Sequence, residues 1–368
     1  MSSFIGEHKL PGAALAVARN GRLLYARGFG YADLEKKEPV QPDSLFRIAS
    51  VSKPLTSAAI LQLVERKKLS LDDHAFALLE PALKAGEKSD ERLAKISIRD
   101  LLAHAGGFDR DKSGDPMFMA RRIARDLRVP SPPAPSDIVR WMAARPLDFD
   151  PGTKSVYSNF GYCLLGRIVE RAGGESYERF VQHHVLQPLG ITRMRLGRTL
   201  ESDRAEGEVR YYSAEKSGRT VFDSGPQEAP NPYGSWCLES MDAHGGWIAS
   251  APDLVRFATG LGQPGKVLRE ESLRMLWARP AYVAPKAAAF YACGWMVRPV
   301  GKGANTWHNG SLPGTSTLLV RRHDGFVWAV LFNSREGNPA GKIDGRIHEA
   351  VDAVREWPEG EALFNTKR

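Results

Sequence analysis

The chain has 368 residues, of which 42% are apolar and 26% are charged, and its formal net charge is +8. This composition is typical of a globular protein and excludes a wholly disordered or collagen-like chain. No apolar stretch approaches the ~20 residues of a membrane-spanning helix, so we expect no membrane span. No export signal is visible at the N-terminus, and we therefore expect a cytoplasmic protein, or a periplasmic or secreted one if a signal has been removed.

The basic residues are scattered, except for a short run formed by Arg121, Arg122, Arg125 and Arg128. Positions 121, 125 and 128 would share one face of a helix. A solvated helix face explains the run best, and a nucleic-acid groove or a membrane-surface helix is the alternative. Because the run has no interleaved aromatic residues and no longer basic stripe, we expect no nucleic-acid partner.

The beginning of the chain predicts a hairpin followed by a helix. Two strand-like segments flank Asn20-Gly21, a strong signal for a tight β-turn. Apolar residues then recur with helical spacing over residues 51–67. Because Pro54 is tolerated only in the first turn of a helix, this helix should begin within a few residues of Ser50.

The remainder of the chain predicts mostly helices, and then strands. The charged and proline-rich residues 109–135 predict a long surface insertion, and residues 201–235 are polar without clear periodicity. Strand-like segments return in the last third and are followed by a helix. The predicted strands cover residues 291–297, 315–321 and 326–333, and the predicted helix covers residues 343–357.

Strands near both termini and helices between them predict an α+β fold. We expect one antiparallel sheet built from both termini and flanked by helices, with a mostly helical domain inserted into it. The sheet domain would comprise residues 1–70 plus 285–368, and the inserted domain residues 71–284. A cleft between the two is the expected place for an active site.

Several common catalytic signatures are absent from the sequence. It contains no phosphate-binding P-loop, no H-E-x-x-H zinc pair and no G-x-S-x-G nucleophile elbow. Gly28-Phe29-Gly30 begins like a dinucleotide fingerprint, but Asp33 takes the place of its third glycine. The nine histidines show no metal-binding spacing. We therefore expect neither a metal nor a cofactor.

The spacing Ser-x-x-Lys occurs twice, at Ser50 to Lys53 and at Ser213 to Lys216. On a helix, residues three apart lie on the same face. A lysine with a lowered pKa can take the proton of the serine and so activate it as a nucleophile. Backbone N–H groups at a helix N-terminus can stabilise the oxyanion that forms. Only Ser50 opens an apolar helix, so we predict Ser50 and Lys53 as the reactive pair.

Two further motifs support this prediction. Tyr157-Ser158-Asn159 is the only Tyr-x-Asn in the chain and lies before a predicted helix, although by itself it also fits a helix cap with a packed tyrosine. The segment from His308 to Ser311 precedes the last strands. In isolation, His308 is equally well explained as a hydrogen-bonded structural histidine.

Together and in this order, the motifs resemble the serine β-lactamase and penicillin-binding-protein superfamily, nearest the class C β-lactamases and their related carboxylesterases. The similarity extends from Leu10 to about Asn333. It implies the α+β fold of that superfamily and a serine hydrolase that works through an acyl-enzyme. Supporting stretches are Phe46 to Lys53, Ile98 to His104, Pro151-Gly152 and Gly245-Gly246-Trp247.

The resemblance also implies a role for each matching residue. Ser50 would be the nucleophile that becomes acylated, and Lys53 would help to deprotonate it. Tyr157 would pass a proton between Ser50 and the leaving group. Asn159 would hydrogen-bond the substrate or Lys53.

The third motif would lie on a strand that edges the cleft and carries His308 and Gly310. The backbone N–H groups of Ser50 and Ser311 would form the oxyanion hole. Many relatives carry lysine where this chain has His308, and a histidine with a pKa near ~6.5 is mostly neutral at physiological pH. Substrates with a carboxylate should therefore bind less well.

We accordingly expect a carboxylesterase on small acyl esters, with at most weak β-lactamase activity, whose partner is a small-molecule ester or amide. The alternatives are a β-lactamase or a D,D-peptidase or D-aminopeptidase, and, from another class, a non-catalytic binding or structural protein of the same fold. Residues 109–135 would either cover the cleft, with Met117, Phe118 and Met119 as apolar contacts, or form a surface excursion.

Overall fold

The computed structural model describes residues 1–82 and 90–364. The α-helices of these ranges are α1 Ser2–Glu7, α2 Lys53–Glu65, α3 Ile98–Leu102, α4 Arg110–Ser113, α5 Ala120–Leu127, α6 Pro135–Ala143, α7 Asn159–Gly173, α8 Tyr177–Val181, α9 Asp242–Gly245, α10 Ala251–Leu261, α11 Glu270–Leu276 and α12 Pro339–Ala353. The β-strands are β1 Gly12–Arg19, β2 Arg22–Asp33, β3 Glu38–Pro39, β4 Phe46–Arg47, β5 Arg195–Leu196, β6 Ser217–Arg219, β7 Glu228–Pro230, β8 Trp247–Ala249, β9 Phe290–Tyr291, β10 Met296–Val300, β11 Gly303–Leu312, β12 Thr315–Arg321, β13 Phe326–Phe332 and β14 Glu361–Ala362.

One large antiparallel sheet joins strands from both ends of the described chain. Its order is β14-β2-β1-β13-β12-β11-β10-β9, and β3 pairs with β2. The centre of the sheet places Ala16 of β1 opposite Ala329 of β13. The predicted α+β fold, with a sheet built from both termini and flanked by helices, is confirmed. The division into two domains stays a prediction, and α10 packs directly on β1 and β13 although it lies within residues 71–284.

The core lies on both faces of the central strands. β13 is buried along its whole length because helices cover the sheet on each side. Its alternate residues enter two apolar clusters, Ala329 with Leu254 of α10 and Trp328 with Ile343 of α12. This alternation fixes the register of the strand, since a slip by one residue would exchange the two sets.

The hairpin predicted at Asn20-Gly21 is confirmed, and both residues have the positive φ of a type I′ turn, 50° and 82°. The single strand predicted over residues 291–297 is wrong, because the chain turns at Gly294 and forms β9 and β10 instead. Gly294 has a φ of 75°, and a Cβ there would collide with the hydroxyl of Ser57. Glycine therefore lets the turn pack against α2.

Other elements also differ from the predicted boundaries. The polar residues 201–235, expected to be irregular, contain the short hairpin of β6 and β7. The last long helix spans Pro339–Ala353 and so begins and ends about one turn before the predicted range. It begins earlier because the side chain of Asn338 accepts a hydrogen bond from the backbone N–H of Gly341 and caps the helix.

The segment predicted as a surface insertion is largely helical. It contains α4 and α5, and the basic run lies on α5, where the Arg121 guanidinium donates to the carbonyl oxygens of Thr220 and Phe222. Arg122 lies 3.8 Å from the carboxylate of Asp126. Within the ranges that the structure describes, no helix combines the length and the apolar character needed to cross a lipid bilayer.

Candidate active site

Ser50 lies in a 3₁₀ turn, Ala49–Ser52, that leads directly into α2. Ala49 has a φ of 48°, a left-handed conformation that is strained for a residue with a side chain. Contacts on both sides hold the turn in place. The N–H of Ile48 donates to the carbonyl of Trp247 over 2.9 Å, and its carbonyl accepts from the hydroxyl of Thr317 over 2.9 Å. Strands of two different sheets, β8 and β12, therefore fix the position of the turn that carries Ser50.

The Lys53 side chain is fully buried behind Ser50. Its Nζ lies 3.1 Å from Ser50 Oγ, 2.8 Å from Asn159 Oδ1 and 3.0 Å from the backbone oxygen of His244. The structure thus brings Ser50, Lys53 and Asn159 together. The amine is held by two fixed acceptors and directed at the hydroxyl of Ser50.

Burial lowers the pKa of the Lys53 amine well below its usual value. The carboxylate of Asp115 opposes this shift, and the guanidinium of Arg110 adds to it. Asp115 belongs to the same network, because its Oδ2 accepts a hydrogen bond of 2.6 Å from Asn159 Nδ2. A lower pKa increases the fraction of the amine that is neutral, and a neutral amine can accept a proton from a hydroxyl group.

Tyr157 approaches Ser50 from a different part of the chain. The side chain of Ser50 lies close enough to the Tyr157 hydroxyl to lower its pKa, and the Lys53 Nζ lies 4.7 Å from the centroid of the Tyr157 ring. Burial raises the pKa of Tyr157, so its hydroxyl is protonated at neutral pH and available as a donor. Ser50 is therefore in contact with an amine and a phenol at the same time.

His308 is buried on β11, and its ring centroid lies 6.4 Å from that of Tyr157. Its Nδ1 lies 2.6 Å from the backbone oxygen of Asn309, and its Nε2 lies 2.9 Å from the hydroxyl of Tyr291. Because a carbonyl can only accept, Nδ1 carries the proton and Nε2 accepts from Tyr291. Burial lowers the pKa of His308 to about 3, helped by Lys53, so the ring is neutral at physiological pH.

Gly310 allows β11 to approach the turn that holds Ser50. A Cβ at this position would collide with the hydroxyl of Thr317 and the carbonyl of Ile48, and would lie 3.0 Å from the Cβ of Ala49. A side chain here would therefore push the strand away from the turn. This is a close-approach requirement, which only glycine meets.

The end of β11 has an open edge beside the site. In the described chain, β10 pairs with β11 only as far as Trp307, and β12 covers the other edge as far as Leu312. Ser311 is exposed on this stretch. The assignment of its backbone N–H, together with that of Ser50, to an oxyanion hole stays a prediction.

Four polar side chains at the site were not found from the sequence: Arg110, Asp115, His104 and Tyr291. His104 packs against Tyr157 with ring centroids 4.4 Å apart, and burial lowers its pKa well below the usual value. Arg110 and Asp115 belong to residues 109–135. The one indication in the sequence that these residues lie at the site was the hypothesis that this segment covers the cleft. That segment does contact the site through polar groups. Met117, in contrast, is buried in the core, and Phe118 is 48% exposed.

Comparisons with known proteins identify the family of the chain. A family model described as Beta-lactamase matches residues 1–353. The chain is 29% identical over 340 residues to penicillin-binding protein 4* of Bacillus subtilis (strain 168), covering 90% of this chain and 70% of that protein. It is 32% identical over 262 residues to the probable fimbrial assembly protein FimD, serogroup H1, of Dichelobacter nodosus, covering 70% of this chain and 59% of that protein.

A solved structure shares the fold over nearly its whole length. The D-amino acid amidase from Ochrobactrum anthropi SV3, in complex with L-phenylalanine amide, superposes with a TM-score of 0.74 at 23% identity. The match covers 96% of this chain and 98% of the amidase. At this identity the likeness shows the fold alone. The family match over residues 1–353 shows that the chain belongs to the β-lactamase family of serine hydrolases.

Proposed function

We propose that the protein is a serine hydrolase that cleaves small acyl esters through an acyl-enzyme formed on Ser50. The simultaneous contact of Ser50 with a buried amine and a phenol supports this proposal most directly. Lys53 Nζ lies 3.1 Å from Ser50 Oγ, and the Tyr157 hydroxyl lies close enough to the same side chain for Ser50 to lower its pKa. A hydroxyl between a proton acceptor and a proton donor is equipped for nucleophilic attack.

The proposed reaction uses each group in turn. Ser50 Oγ attacks the ester carbonyl and transfers its proton to Lys53, which Asn159 holds in position. The backbone N–H groups of Ser50 and Ser311 stabilise the oxyanion. Tyr157 donates a proton to the leaving alcohol and recovers one from Lys53. Water then attacks the acyl carbon along the reverse proton path, which releases the acid and regenerates Ser50.

The environment of His308 leaves β11 without a cation for the carboxylate of a β-lactam. Because burial lowers its pKa to about 3, the ring offers no positive charge at the position where a charged lysine would attract a carboxylate. We therefore propose at most weak β-lactamase activity.

Hydrolysis of 4-nitrophenyl butyrate tests the proposal. We expect Ser50→Ala to lower kcat/KM by at least about 1000-fold, because the nucleophile is lost. Ser213→Ala is the matched control, since Ser213 belongs to the other Ser-x-x-Lys spacing but lies outside any helix. Intact-mass measurement should detect a butyryl adduct on the wild type. Equal rates for Ser50→Ala and the wild type would exclude Ser50 as the nucleophile.

An amidase is the second candidate, because the same acyl-enzyme chemistry cleaves amides and the fold is shared with a D-amino acid amidase. Turnover of D-alanine amide or nitrocefin well above that of 4-nitrophenyl butyrate would favour it over the esterase. A non-catalytic role would be indicated if a fluorophosphonate probe failed to label Ser50.

A further inference from the structure

Arg110 is a charged residue beside the catalytic groups that the proposed reaction leaves unused. It begins α4, and its guanidinium carbon lies 4.9 Å from the centroid of the Tyr157 ring. The side chain of Arg110 is 44% exposed. A positive charge that water can reach therefore lies against the ring of Tyr157, the phenol beside Ser50.

Within the described residues, no carboxylate makes a hydrogen bond to this guanidinium. The Oδ1 of Asp111 is 4.0 Å from Arg110 Nε, and the Asp111 side chain is 91% exposed. Asp115 is engaged elsewhere, because its two oxygens accept from the Asn159 side chain over 2.6 Å and from the backbone N–H of Met117 over 3.1 Å. The donors of Arg110 are thus available to an incoming acceptor.

The other basic groups of the site cannot serve as that cation. Lys53 is fully buried and its amine is occupied by Ser50, Asn159 and a backbone carbonyl. His308 is buried and bonded through both ring nitrogens. An anionic group of a substrate seated at Ser50 would therefore find its partner on α4 rather than on β11.

We propose that Arg110 binds a carboxylate of the substrate, so that the preferred esters carry an acidic group a few carbons from the scissile carbonyl. This inference rests on the proposed function, since it places that carbonyl at Ser50. A guanidinium presents parallel N–H donors that match the two oxygens of a carboxylate. The cation–π contact with the Tyr157 ring, 4.9 Å from the guanidinium carbon to the ring centroid, keeps the guanidinium beside the reacting groups.

Matched substrate pairs test this assignment. Mono(4-nitrophenyl) succinate and 4-nitrophenyl butyrate have acyl chains of equal length and differ in a terminal carboxylate or methyl group. The pair 3-carboxyphenyl butyrate and phenyl butyrate places the carboxylate on the leaving group instead. We expect the wild type to prefer the acidic member of one pair by about tenfold in kcat/KM, as one charged hydrogen-bonded contact provides. Arg110→Gln should abolish that preference, measured as the ratio of kcat/KM within a pair at the pH optimum of each enzyme, because a change in the pKa of Lys53 alters both members of a pair alike.

Arg122→Gln is the control variant, because Arg122 lies on α5 and is bound to Asp126. It should retain the wild-type preference. Equal loss of activity on both members of a pair in Arg110→Gln would show that Arg110 acts through the electrostatics of Lys53 and Tyr157, and would overturn the proposal. A wild type without preference in either pair would also overturn it.

A binding measurement separates this inference from the proposed function. Ser50→Ala protein retains Arg110 but not the nucleophile, and calorimetry can compare N-methylsuccinamate with N-methylbutyramide as unreactive analogues of the acyl part. 3-Carboxyphenyl butyrate and phenyl butyrate test the leaving-group part on the same protein. Arg110-dependent binding of an acidic member, without any ester turnover by the wild type, would disprove the esterase and retain the carboxylate site. Ester turnover by the wild type, without Arg110-dependent binding of an acidic member and without a preference for one, would support the esterase and disprove the carboxylate site.

Discussion

Lys53 owes its chemistry to its surroundings rather than to its residue type alone. Burial is the largest influence on its pKa, and the charges of Asp115 and Arg110 act on it in opposite directions. Asp115 is also tied to the network through Asn159, over a hydrogen bond of 2.6 Å. A single carboxylate therefore influences the pH range in which the amine is neutral.

We expect Asp115→Asn to move the acidic limb of the kcat/KM profile to lower pH. Removing the carboxylate removes the attraction that raises the pKa of Lys53, so the amine stays neutral in more acidic solution. The amide keeps only one of the two acceptor oxygens, so the variant should lose about 1–3 kcal/mol of stability. Initial rates on 4-nitrophenyl butyrate between pH 5 and pH 9, with circular dichroism as a folding check, measure the shift.

The control for this variant is Asp111→Asn, on the same segment. The Asp111 side chain is 91% exposed, and it is not among the groups that shift the pKa of Lys53. Its profile should coincide with that of the wild type. A limb that stays in place in Asp115→Asn would mean that Lys53 is not the group whose ionisation controls the rate.

Site residues could be predicted from the sequence where a local motif identifies them, but not where only the fold brings them to the site. Ser50 and Lys53 were predicted because their spacing lies at the start of an apolar helix, and Tyr157 because the motifs together resemble the β-lactamase superfamily. Asp115 and Arg110 carry no local signature of a site. Their charges change the pKa of Lys53 through space, and they do so only because their segment packs against Asn159 and Tyr157.

At the scale of elements, the site depends on how closely β11 approaches the turn before α2. Gly310 is the contact point, because a Cβ would collide with Thr317 and Ile48. The neighbouring residues Ala49 and Ser50 would have to move if the strand moved. The geometry of the nucleophile is therefore coupled to one glycine on a strand distant in sequence.

We expect Gly310→Ala to lower kcat/KM by about 100-fold, because displacement of the reacting groups by about 1 Å is sufficient for such a loss. Overpacking should also destabilise the protein by about 1–3 kcal/mol. Gly345→Ala is the matched control, since Gly345 lies inside α12 with no heavy atom within 4 Å of the added Cβ. It should be neutral or stabilising by about 0.5–1 kcal/mol. Urea unfolding measures the stability of both variants, and ester kinetics measure their kcat/KM. Full activity in Gly310→Ala would show that the geometry of Ser50 does not depend on this glycine.

The strands were harder to predict from the sequence than the helices. β11 contains Gly303, Gly310 and several polar residues, and its apolar pattern is too weak to indicate a strand without a resemblance to known proteins. It is a strand because β10 and β12 pair with its two edges. Likewise, the break between β9 and β10 depends on how Gly294 packs against α2, which residue patterns do not reveal.

At the scale of the whole molecule, the large sheet joins strands from both ends of the described chain, and distant segments meet at the site. Three histidines from separate parts of the chain, His104, His244 and His308, are buried around Lys53. Burial is the largest cause that lowers the pKa of each below its usual value. In the folded protein these rings are neutral, whereas in the unfolded chain they take up protons in mildly acidic solution.

We therefore expect the folded protein to lose stability as the pH falls below about 6.5, in part through these histidines. Between pH 6.5 and about 3, the unfolded chain protonates His308 and the folded protein does not, so falling pH favours unfolding. His308→Gln removes this difference and should reduce the slope of unfolding free energy against pH by about 1.4 kcal/mol per pH unit within that window. Urea unfolding at pH 7, 5.5 and 4 measures the slope. His323→Gln is the control, because that ring is exposed in the folded protein, and it should leave the slope unchanged. An unchanged slope in His308→Gln would show that the folded protein protonates this ring as readily as the unfolded chain does.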